Sequence, residues 1–364
     1  MVNNKKIIAA FIAAALSLSA VSCNNSKKSG SSDEKSSSEA ESSQETTDEN
    51  SDSENSDSSS DESSKAENPL GETVDINDYI NTTDIKPAVW KVTDPESGHE
   101  LYLMGTIHAT PLAIEEYPDY ILDIYENSDK LAIEYDITPI MEDTSAQIKY
   151  LQNFTYTDGT KITDHISEET YNKAKEYLQS IGGYSNFLDL YNPSYWMTTF
   201  TSLGFARLEN LGGSGTDVFF TEKAKADNKE VINIETLETQ VGATTYDSDE
   251  LADFMLNSYV DNIDNISGLA ESYAALYNSW AEGDGEVWED DVDDDELPDD
   301  LADDYDAYIK KAFDDRNKGM AEKAAEFIKE DSSYFFMVGA GHYTGENGVD
   351  NLLEKMGFTV EKIN

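Results

Sequence analysis

The chain has 364 residues, with 25 Lys and Arg against 75 Asp and Glu, so its formal net charge at pH 7 is −50. A charge of this sign repels phosphate backbones and anionic membrane surfaces, which excludes nucleic acid from the expected partners. The only cysteine, Cys23, excludes an intrachain disulfide framework.

The N-terminus has the pattern of a bacterial lipoprotein signal peptide. Lys5 and Lys6 precede an apolar run over residues 7–16, and small residues follow it up to Cys23. The run is shorter than the roughly 20 residues that span a bilayer core, so it favours a cleaved signal over a permanent transmembrane helix. We expect a signal peptide over residues 1–22, lipidation of Cys23, and an exported protein held on the extracytoplasmic face of the cell membrane through its lipid anchor only. The alternative is an ordinary signal peptide followed by an incidental cysteine.

Two later segments are too polar to bury a core. Residues 23–70 consist almost entirely of Ser, Glu, Asp, Asn and Lys, which predicts a disordered acidic tether. The remaining residues, 71–364, have a suitable length for one α/β domain. Residues 284–304 form an acidic insertion in it that lacks the spacing of a calcium loop, so we expect a solvated surface segment there rather than an ion site.

Short β-rich runs alternate with longer helical patterns along the domain. Strands are predicted over residues 101–104, 130–133, 231–234 and 334–338. Helices are predicted over residues 120–127, 168–182, 193–211, 219–226 and 313–329. The alternation indicates an α/β fold with a mostly parallel central sheet flanked by helices. The aromatic stripes of the second and third predicted helices favour core packing, and a helical cap that binds substrate is the other interpretation.

Each predicted strand leads to a residue of metal-ligand type. In chain order these residues are His108, Glu134, Glu235 and His342. Because the carboxyl ends of parallel strands meet at one edge of a sheet, we expect the four side chains to converge there. Gly105 and Gly339 each stand three residues before a histidine, where a glycine lets the backbone turn sharply after the strand. The matched blocks also predict an internal duplication of the domain.

Metal chemistry and one arginine complete the predicted centre. Imidazole and carboxylate groups together suit Zn, Mn, Co or Fe, and a carboxylate can act as a general base toward a bound water. Arg316 lies at the spacing of the apolar face of its predicted helix. Its guanidinium is interpreted either as a clamp on a substrate carbonyl, carboxylate or oxyanion, or as a head that reaches water above an apolar stem.

At these residues the sequence resembles the TraB/GumN family, which includes the TIKI proteases and belongs with the broader erythromycin esterase-like and ChaN-like folds. The resemblance covers most of the chain from about residue 90 to the end. The motifs that carry it are Trp90-Lys91-Val92, Gly105-Thr106-Ile107-His108, Glu134, Gly215-Thr216-Asp217, Ile234-Glu235-Thr236-Leu237-Glu238, Trp280-Ala281-Glu282-Gly283-Asp284, Arg316-Asn317 with Met320, and Gly339-Ala340-Gly341-His342.

The resemblance implies an internally duplicated α/β architecture whose centre the TIKI relatives use for metal-dependent proteolysis of peptide N-terminal regions. The metal ligands it implies are His108, His342 and Glu134, and the catalytic residues are Glu134, Glu235 and Arg316. Arg316 would contact the substrate or the transition state. Asp217 would lie near the site or cap the helix that follows it, and the cap is the preferred interpretation.

Two functions from different classes follow from these patterns. The first is a surface-anchored, metal-dependent hydrolase, specifically a peptidase with a two-His/Glu centre, a divalent Mn, Co or Zn ion and a peptide or protein substrate. The second is a non-catalytic surface lipoprotein that binds a peptide, a metal or haem. A vestigial cleft is a third interpretation, because membership of this family does not by itself define an activity.

Overall fold

The computed structural model describes residues 70–114, 116–284 and 297–364. The predicted signal peptide, Cys23, the tether up to residue 69 and residues 285–296 of the acidic insertion lie outside the described residues. None of the helices in the described ranges is both long and apolar enough to cross a membrane.

In chain order, the strands within these ranges are β1 (Val74–Asp75), β2 (Val89–Thr93), β3 (Glu100–Thr106), β4 (Ala109–Pro111), β5 (Lys130–Ile133), β6 (Leu208–Glu209), β7 (Leu211–Ser214), β8 (Glu230–Asn233), β9 (Tyr334–Gly339) and β10 (Thr359–Lys362). The α-helices are α1 (Asp119–Asn127), α2 (Thr138–Glu142), α3 (Thr144–Gln152), α4 (Glu168–Ser180), α5 (Pro193–Phe205), α6 (Thr216–Asp227), α7 (Leu237–Gly242), α8 (Asp249–Asn262), α9 (Ile266–Glu282), α10 (Ala302–Ile309), α11 (Asp315–Phe327) and α12 (Val349–Lys355). A π-helical turn, Lys310–Asp314, joins α10 to α11, and a 3-10 turn, Ala340–Tyr343, follows β9.

The central sheet has the strand order β10-β2-β3-β9-β5-β8. Strands β3, β9, β5 and β8 run parallel, whereas β2 and β10 form an antiparallel edge. The side chains of β9 alternate between two apolar cores, with Phe335 and Met337 in one and Phe336 and Val338 in the other. An apolar run of this kind is typical of a parallel strand covered on both faces. The predicted mostly parallel sheet flanked by helices is confirmed.

The helix predicted over residues 193–211 is shorter than its sequence pattern indicates. It ends at Phe205, and the chain then forms β6 and β7. Strand β6 pairs with β1 and β7 pairs with β4, so long-range pairing determines the structure of this segment. As a result, β7 leads directly into α6, the helix that carries Asp217 next to the site.

The sheet register does not show the predicted internal duplication. Gly105 pairs with Val338, and Thr106 pairs with Gly339, so the two Gly-x-x-His blocks are offset by one residue. The chain also continues differently after each block, because β3 leads to the short strand β4 whereas β9 leads to a 3-10 turn.

The two motif glycines permit close approach rather than a left-handed turn. Gly339 has φ −50° and ψ 140°, and Gly105 is not among the glycines with positive φ. A Cβ on Gly105 would lie 3.0 Å from Ala340 Cα, and a Cβ on Gly339 would lie 3.0 Å from Glu134 Oε1. The expectation of a sharp glycine-dependent turn is therefore wrong, because both positions have a backbone conformation that other residues adopt.

Several helices form a second core apart from the sheet. It contains Trp196 and Phe200 from α5, Leu251 and Met255 from α8, and Tyr308 from α10. This arrangement agrees with the core packing expected for the aromatic stripes.

Helical structure begins inside the stretch predicted as an acidic insertion. Asp299–Leu301 forms a 3-10 turn that leads into α10. Leu301 is buried, while Asp299, Asp300 and Asp303 are exposed. The last residues of the acidic stretch therefore join the helical core through one apolar side chain and keep their carboxylates in solvent.

Candidate active site

The four predicted ligand residues follow the four parallel strands of the sheet. In the order of the strands across the sheet they are His108 after β3, His342 after β9, Glu134 after β5 and Glu235 after β8. Their side chains are only 13%, 6%, 12% and 7% exposed, respectively. The structure thus places two imidazoles and two carboxylates along one carboxyl edge, where parallel sheets collect functional groups.

The His342 ring is held in one tautomer by Asn317. The Asn317 amide donates from Nδ2 to the carbonyl of Asn347 over 2.9 Å, which directs its Oδ1 at His342 Nδ1. His342 Nδ1 therefore carries the hydrogen, and Nε2 keeps a lone pair that faces Glu134 Oε1 at 3.6 Å. Burial, with the positive charge of Arg316, lowers the pKa of His342 to about 3, so the ring is neutral at neutral pH.

The His108 ring is held in the same way by a carboxylate. Its Nδ1 lies 3.2 Å from Asp217 Oδ2, which leaves Nε2 as the free ring nitrogen. Burial alone would lower the pKa of His108, but the negative charge and hydrogen bond of Asp217 outweigh it and raise this pKa. In metal sites, the histidine ring nitrogen that does not bind the metal commonly donates its hydrogen to a carboxylate in this way.

The structure corrects the role that the sequence favoured for Asp217. The N-cap residue of α6 is Gly215, which makes no side-chain cap bond, and Asp217 lies in the first turn of the helix. Its Oδ2 contacts His108, and its Oδ1 is buried with no hydrogen-bond partner among the described residues. Asp217 therefore orients a site histidine instead of capping the helix.

Glu134 lies at the centre of the hydrogen-bond network of the site. Its Oε1 accepts a hydrogen bond from the Gly339 N–H, and its Oε2 accepts from Arg316 Nη2 over 2.9 Å and from Gln240 Nε2 over 3.0 Å. Burial alone would raise the pKa of this carboxyl, but the Arg316 guanidinium and the Gly339 N–H outweigh burial and hold it below its usual range. Glu134 is therefore ionised at neutral pH.

Arg316 bridges both carboxylates instead of facing a substrate. Its Nε lies 3.0 Å from Glu235 Oε1, and its Nη2 lies 2.8 Å from Glu235 Oε2 as well as contacting Glu134. Its Nη1 donates to the Ala312 carbonyl over 3.0 Å, within the π-helical turn Lys310–Asp314. Single π turns inside helices occur often at functional sites, and here the turn ends two residues before Arg316 and supplies one of its acceptors.

Glu235 lies behind Glu134 rather than in the open part of the site. Burial raises the pKa of Glu235 above its usual value, although Arg316 opposes that shift. Both of its oxygens are bonded to Arg316, and Oε2 also accepts from Gln240 over 2.6 Å.

A small cleft opens beside these groups. The residues that line it are Thr106, His108, Glu134, Tyr135, Ile137, Asp217, Gln240 and Met337. Among the described residues, Glu235 and Arg316 do not line it, so they act on the cleft through Glu134 and Gln240.

The chemistry of these residues fits a divalent cation. His342 Nε2 and Glu134 Oε1 are two acceptors that face each other, and His108, whose Nε2 is not used in the bond to Asp217, lines the cleft together with Glu134. The buried, unpartnered Asp217 Oδ1 adds negative potential. Neutral imidazole with carboxylate is the donor set of Zn and related metals. Within the described ranges, no group of three or more His, Cys, Asp or Glu side chains is placed to hold a metal ion, so the fit rests on the chemical type of these donors.

Sequence reasoning did not assign roles to Asn317, Gln240 and Gly215. Asn317 stands next to Arg316 and is only 3% exposed. Its position on the buried face of α11 could have been predicted from the helical spacing of the neighbouring apolar residues. Gln240 carries no comparable sequence signal, because its importance depends on how α7 lies over the edge of the sheet.

Gly215 allows the chain to pass directly over His108. A Cβ at this position would lie 2.5 Å from the His108 carbonyl oxygen and 2.7 Å from its Cα. We expect Gly215→Ala to lower the free energy of unfolding by about 1–3 kcal/mol, because the backbone must move to relieve the clash. Gly319→Ala in α11 is the matched control: its Cβ meets nothing within 4 Å, and it should raise stability by about 0.4–1 kcal/mol. Chemical denaturation compares them, and equal stability of the two variants would contradict the close approach.

The fold and the site together define a mixed α/β protein with a histidine, carboxylate and arginine centre at the carboxyl edge of its sheet. The TraB/PrgY/gumN family model matches residues 88–362, so the chain belongs to that family.

Two curated relatives carry the name Metalloprotease TIKI2. The Danio rerio protein is 22% identical over 326 residues, which cover 78% of this chain and 62% of the relative. The Xenopus tropicalis protein is 23% identical over 305 residues, which cover 71% of this chain and 57% of the relative. The chain thus spans about three fifths of the length of these relatives. No solved structure gives a significant match.

Proposed function

We propose that this protein is a metal-dependent hydrolase that cleaves peptides. The observation that carries the proposal is the pair of oriented imidazoles. His108 and His342 each engage Nδ1 with an acceptor side chain, Asp217 or Asn317, which leaves each Nε2 available. The Nε2 of His342 faces Glu134 Oε1, and His108 lines the cleft together with Glu134. A purely structural histidine has no need of a partner that holds it in this tautomer. The distant similarity to proteins named metalloproteases supports the same function.

The residues that would hold the metal are His108, His342 and Glu134. A divalent cation supplies Lewis acidity toward a substrate carbonyl and lowers the pKa of a water. Asp217 and Asn317 hold the two rings in the ligand tautomer. Arg316 and Gln240 hold Glu134 Oε2, which leaves Oε1 directed at His342.

Glu134 is also the better candidate for the general base. Glu134 lines the cleft, and its carboxyl is ionised and able to accept a proton. Glu235 has both oxygens committed to Arg316 and does not line the cleft within the described residues, so it is a positioning residue.

The direct test of this function is cleavage of a peptide mixture by the intact chain, followed by mass spectrometry. We expect products that disappear with a chelator and return with Mn, Co or Zn. Cleavage that persists in chelator would contradict a metal-dependent reaction. Tight peptide binding without any product would instead support the non-catalytic binding function.

Removing the partner of His108 is expected to weaken metal binding. Asp217→Ala leaves the ring free to rotate and to change tautomer, so we expect a loss of about 10–100-fold in metal affinity. Glu222→Ala is the matched control, because it removes the same charge from an exposed position on the same helix. Isothermal titration measures both variants. An equal loss in the two would show that net charge, and not orientation of His108, controls affinity.

We further propose that lipid on Cys23 holds the mature protein on the extracytoplasmic face of the membrane. The sequence pattern of residues 5–23 supports this location. Cell fractionation of the intact chain and Cys23→Ser tests it. The intact chain should be found with membranes and the variant should be released, whereas membrane association of both would contradict anchoring through this residue.

A further inference from the structure

The side-chain amide of Gln240 is held in one orientation. Its Nε2 donates to Glu134 Oε2 over 3.0 Å and to Glu235 Oε2 over 2.6 Å. Both carboxylate oxygens also accept from Arg316 Nη2, so a flipped amide would set its oxygen against two acceptors. The hydrogen-bond network therefore assigns the nitrogen to the carboxylate side and Oε1 to the opposite side.

Gln240 Oε1 is an acceptor without a donor. Among the described residues, no group donates to this atom, and Gln240 lines the cleft together with His108 and Glu134. Oε1 is not among the fully buried unpaired atoms of the described residues, so it is accessible to solvent or to a ligand. An amide oxygen in this position is complementary to an N–H or O–H donor of a ligand.

The neighbouring groups suit a ligand that donates hydrogen bonds. Glu134 and Asp217 line the same cleft, and Asp217 Oδ1 is a buried acceptor without a hydrogen-bond partner among the described residues. A peptide main chain suits such a cleft, because it offers an N–H donor at nearly every residue.

We propose that Gln240 Oε1 accepts a hydrogen bond from one main-chain N–H of the substrate and so places the adjacent peptide bond beside Glu134. The choice of a peptide as ligand rests on the proposed function. The amide discriminates by position: it favours substrates with an N–H at that point of the chain and disfavours proline there, because proline lacks the donor. The two carboxylates strengthen this preference for an N–H over proline, because they prevent the amide from flipping.

An ester scan of a single peptide tests the inference. Each main-chain N–H in turn is replaced by an ester oxygen, which removes the donor with little change in size. In the wild-type chain we expect one position at which this change weakens binding or raises KM by about 3- to 10-fold. In Gln240→Met the same ester should cause no additional loss at that position. Gln240→Lys provides a second variant, since its ammonium can still donate to both carboxylates but offers no acceptor.

A matched control is Gln179→Met, which changes an exposed glutamine of α4 away from the cleft and should keep the wild-type pattern. Peptide affinity is measured on chelated, metal-free protein, and turnover is measured separately with metal. A sensitive position seen in wild type but not in Gln240→Met or Gln240→Lys, even without turnover, supports the inference and counts against the peptidase function. Turnover with no sensitive position, or with equal sensitivity in these variants, overturns the inference. Failure to bind any peptide without metal and to cleave any peptide with metal overturns both.

Discussion

Replacing Arg316 by methionine should lower the free energy of unfolding by about 3–5 kcal/mol at pH 7. The guanidinium is 11% exposed and bridges Glu134 and Glu235, which are 12% and 7% exposed. Methionine fills a similar volume, so the main effect is to leave two neighbouring carboxylates buried without a counter-charge. Urea denaturation of the variant and the wild type measures the difference.

The pH dependence and a double variant identify the cause of that loss. In wild type the lowered pKa of Glu134 contributes stability above the unfolded value of 4.5, and this contribution is lost as the pH falls. In Arg316→Met, burial and mutual repulsion raise both carboxyl pKa values, so the variant loses stability as the pH rises. The difference in free energy of unfolding between the wild type and Arg316→Met should therefore narrow on acidification from pH 7 toward about pH 4.

Glu235→Gln combined with Arg316→Met removes one of the two charges and should recover part of the loss at pH 7. A difference in free energy of unfolding that stays constant with pH, together with no recovery of stability in the double variant, would show that Arg316 stabilises the fold through packing rather than through charge.

Replacing Glu134 by glutamine should reduce peptide cleavage by about 10²–10⁴-fold. Glutamine keeps the shape of the side chain and an oxygen at Oε1 for the Gly339 N–H, but this amide oxygen is neutral and no longer serves as a base. Initial rates of cleavage, with stability measured in parallel, give the size of the effect.

Glu235→Gln is the matched control for this prediction. It makes the same chemical change on the neighbouring strand, at a carboxylate that is bonded to Arg316 and does not line the cleft within the described residues. We expect this variant to keep most of the turnover. Equal losses in the two variants would remove the distinction between base and positioning residue.

Much of the site was predictable because it depends on simple repeating geometry. Apolar runs that end in His108, Glu134, Glu235 and His342 indicated strands, and parallel strands bring their carboxyl ends to one edge. The convergence of these side chains needs no knowledge of individual contacts. The same reasoning overestimated the similarity of the two Gly-x-x-His blocks, because sequence spacing does not reveal the one-residue offset in register between β3 and β9.

The partners of the site residues were less predictable because they come from tertiary packing. Asp217 stands where local helix-start preferences favour a cap, but the close passage of Gly215 over His108 brings its carboxylate to the imidazole. The sequence left two roles for Arg316, a substrate clamp and a solvent-reaching head. The structure shows a third arrangement, in which the head is buried between Glu134 and Glu235.

The most direct single measurement is the metal content of the intact chain beside His108→Ala and His342→Ala, each after equilibration with Mn, Co or Zn. Elemental analysis of the purified proteins gives the stoichiometry. If the two imidazoles and Glu134 form one site, the wild-type chain holds one equivalent of one of these metals and both variants lose it. A full equivalent retained in either variant, or no binding of any of the three metals by the wild type, would contradict a two-histidine metal centre.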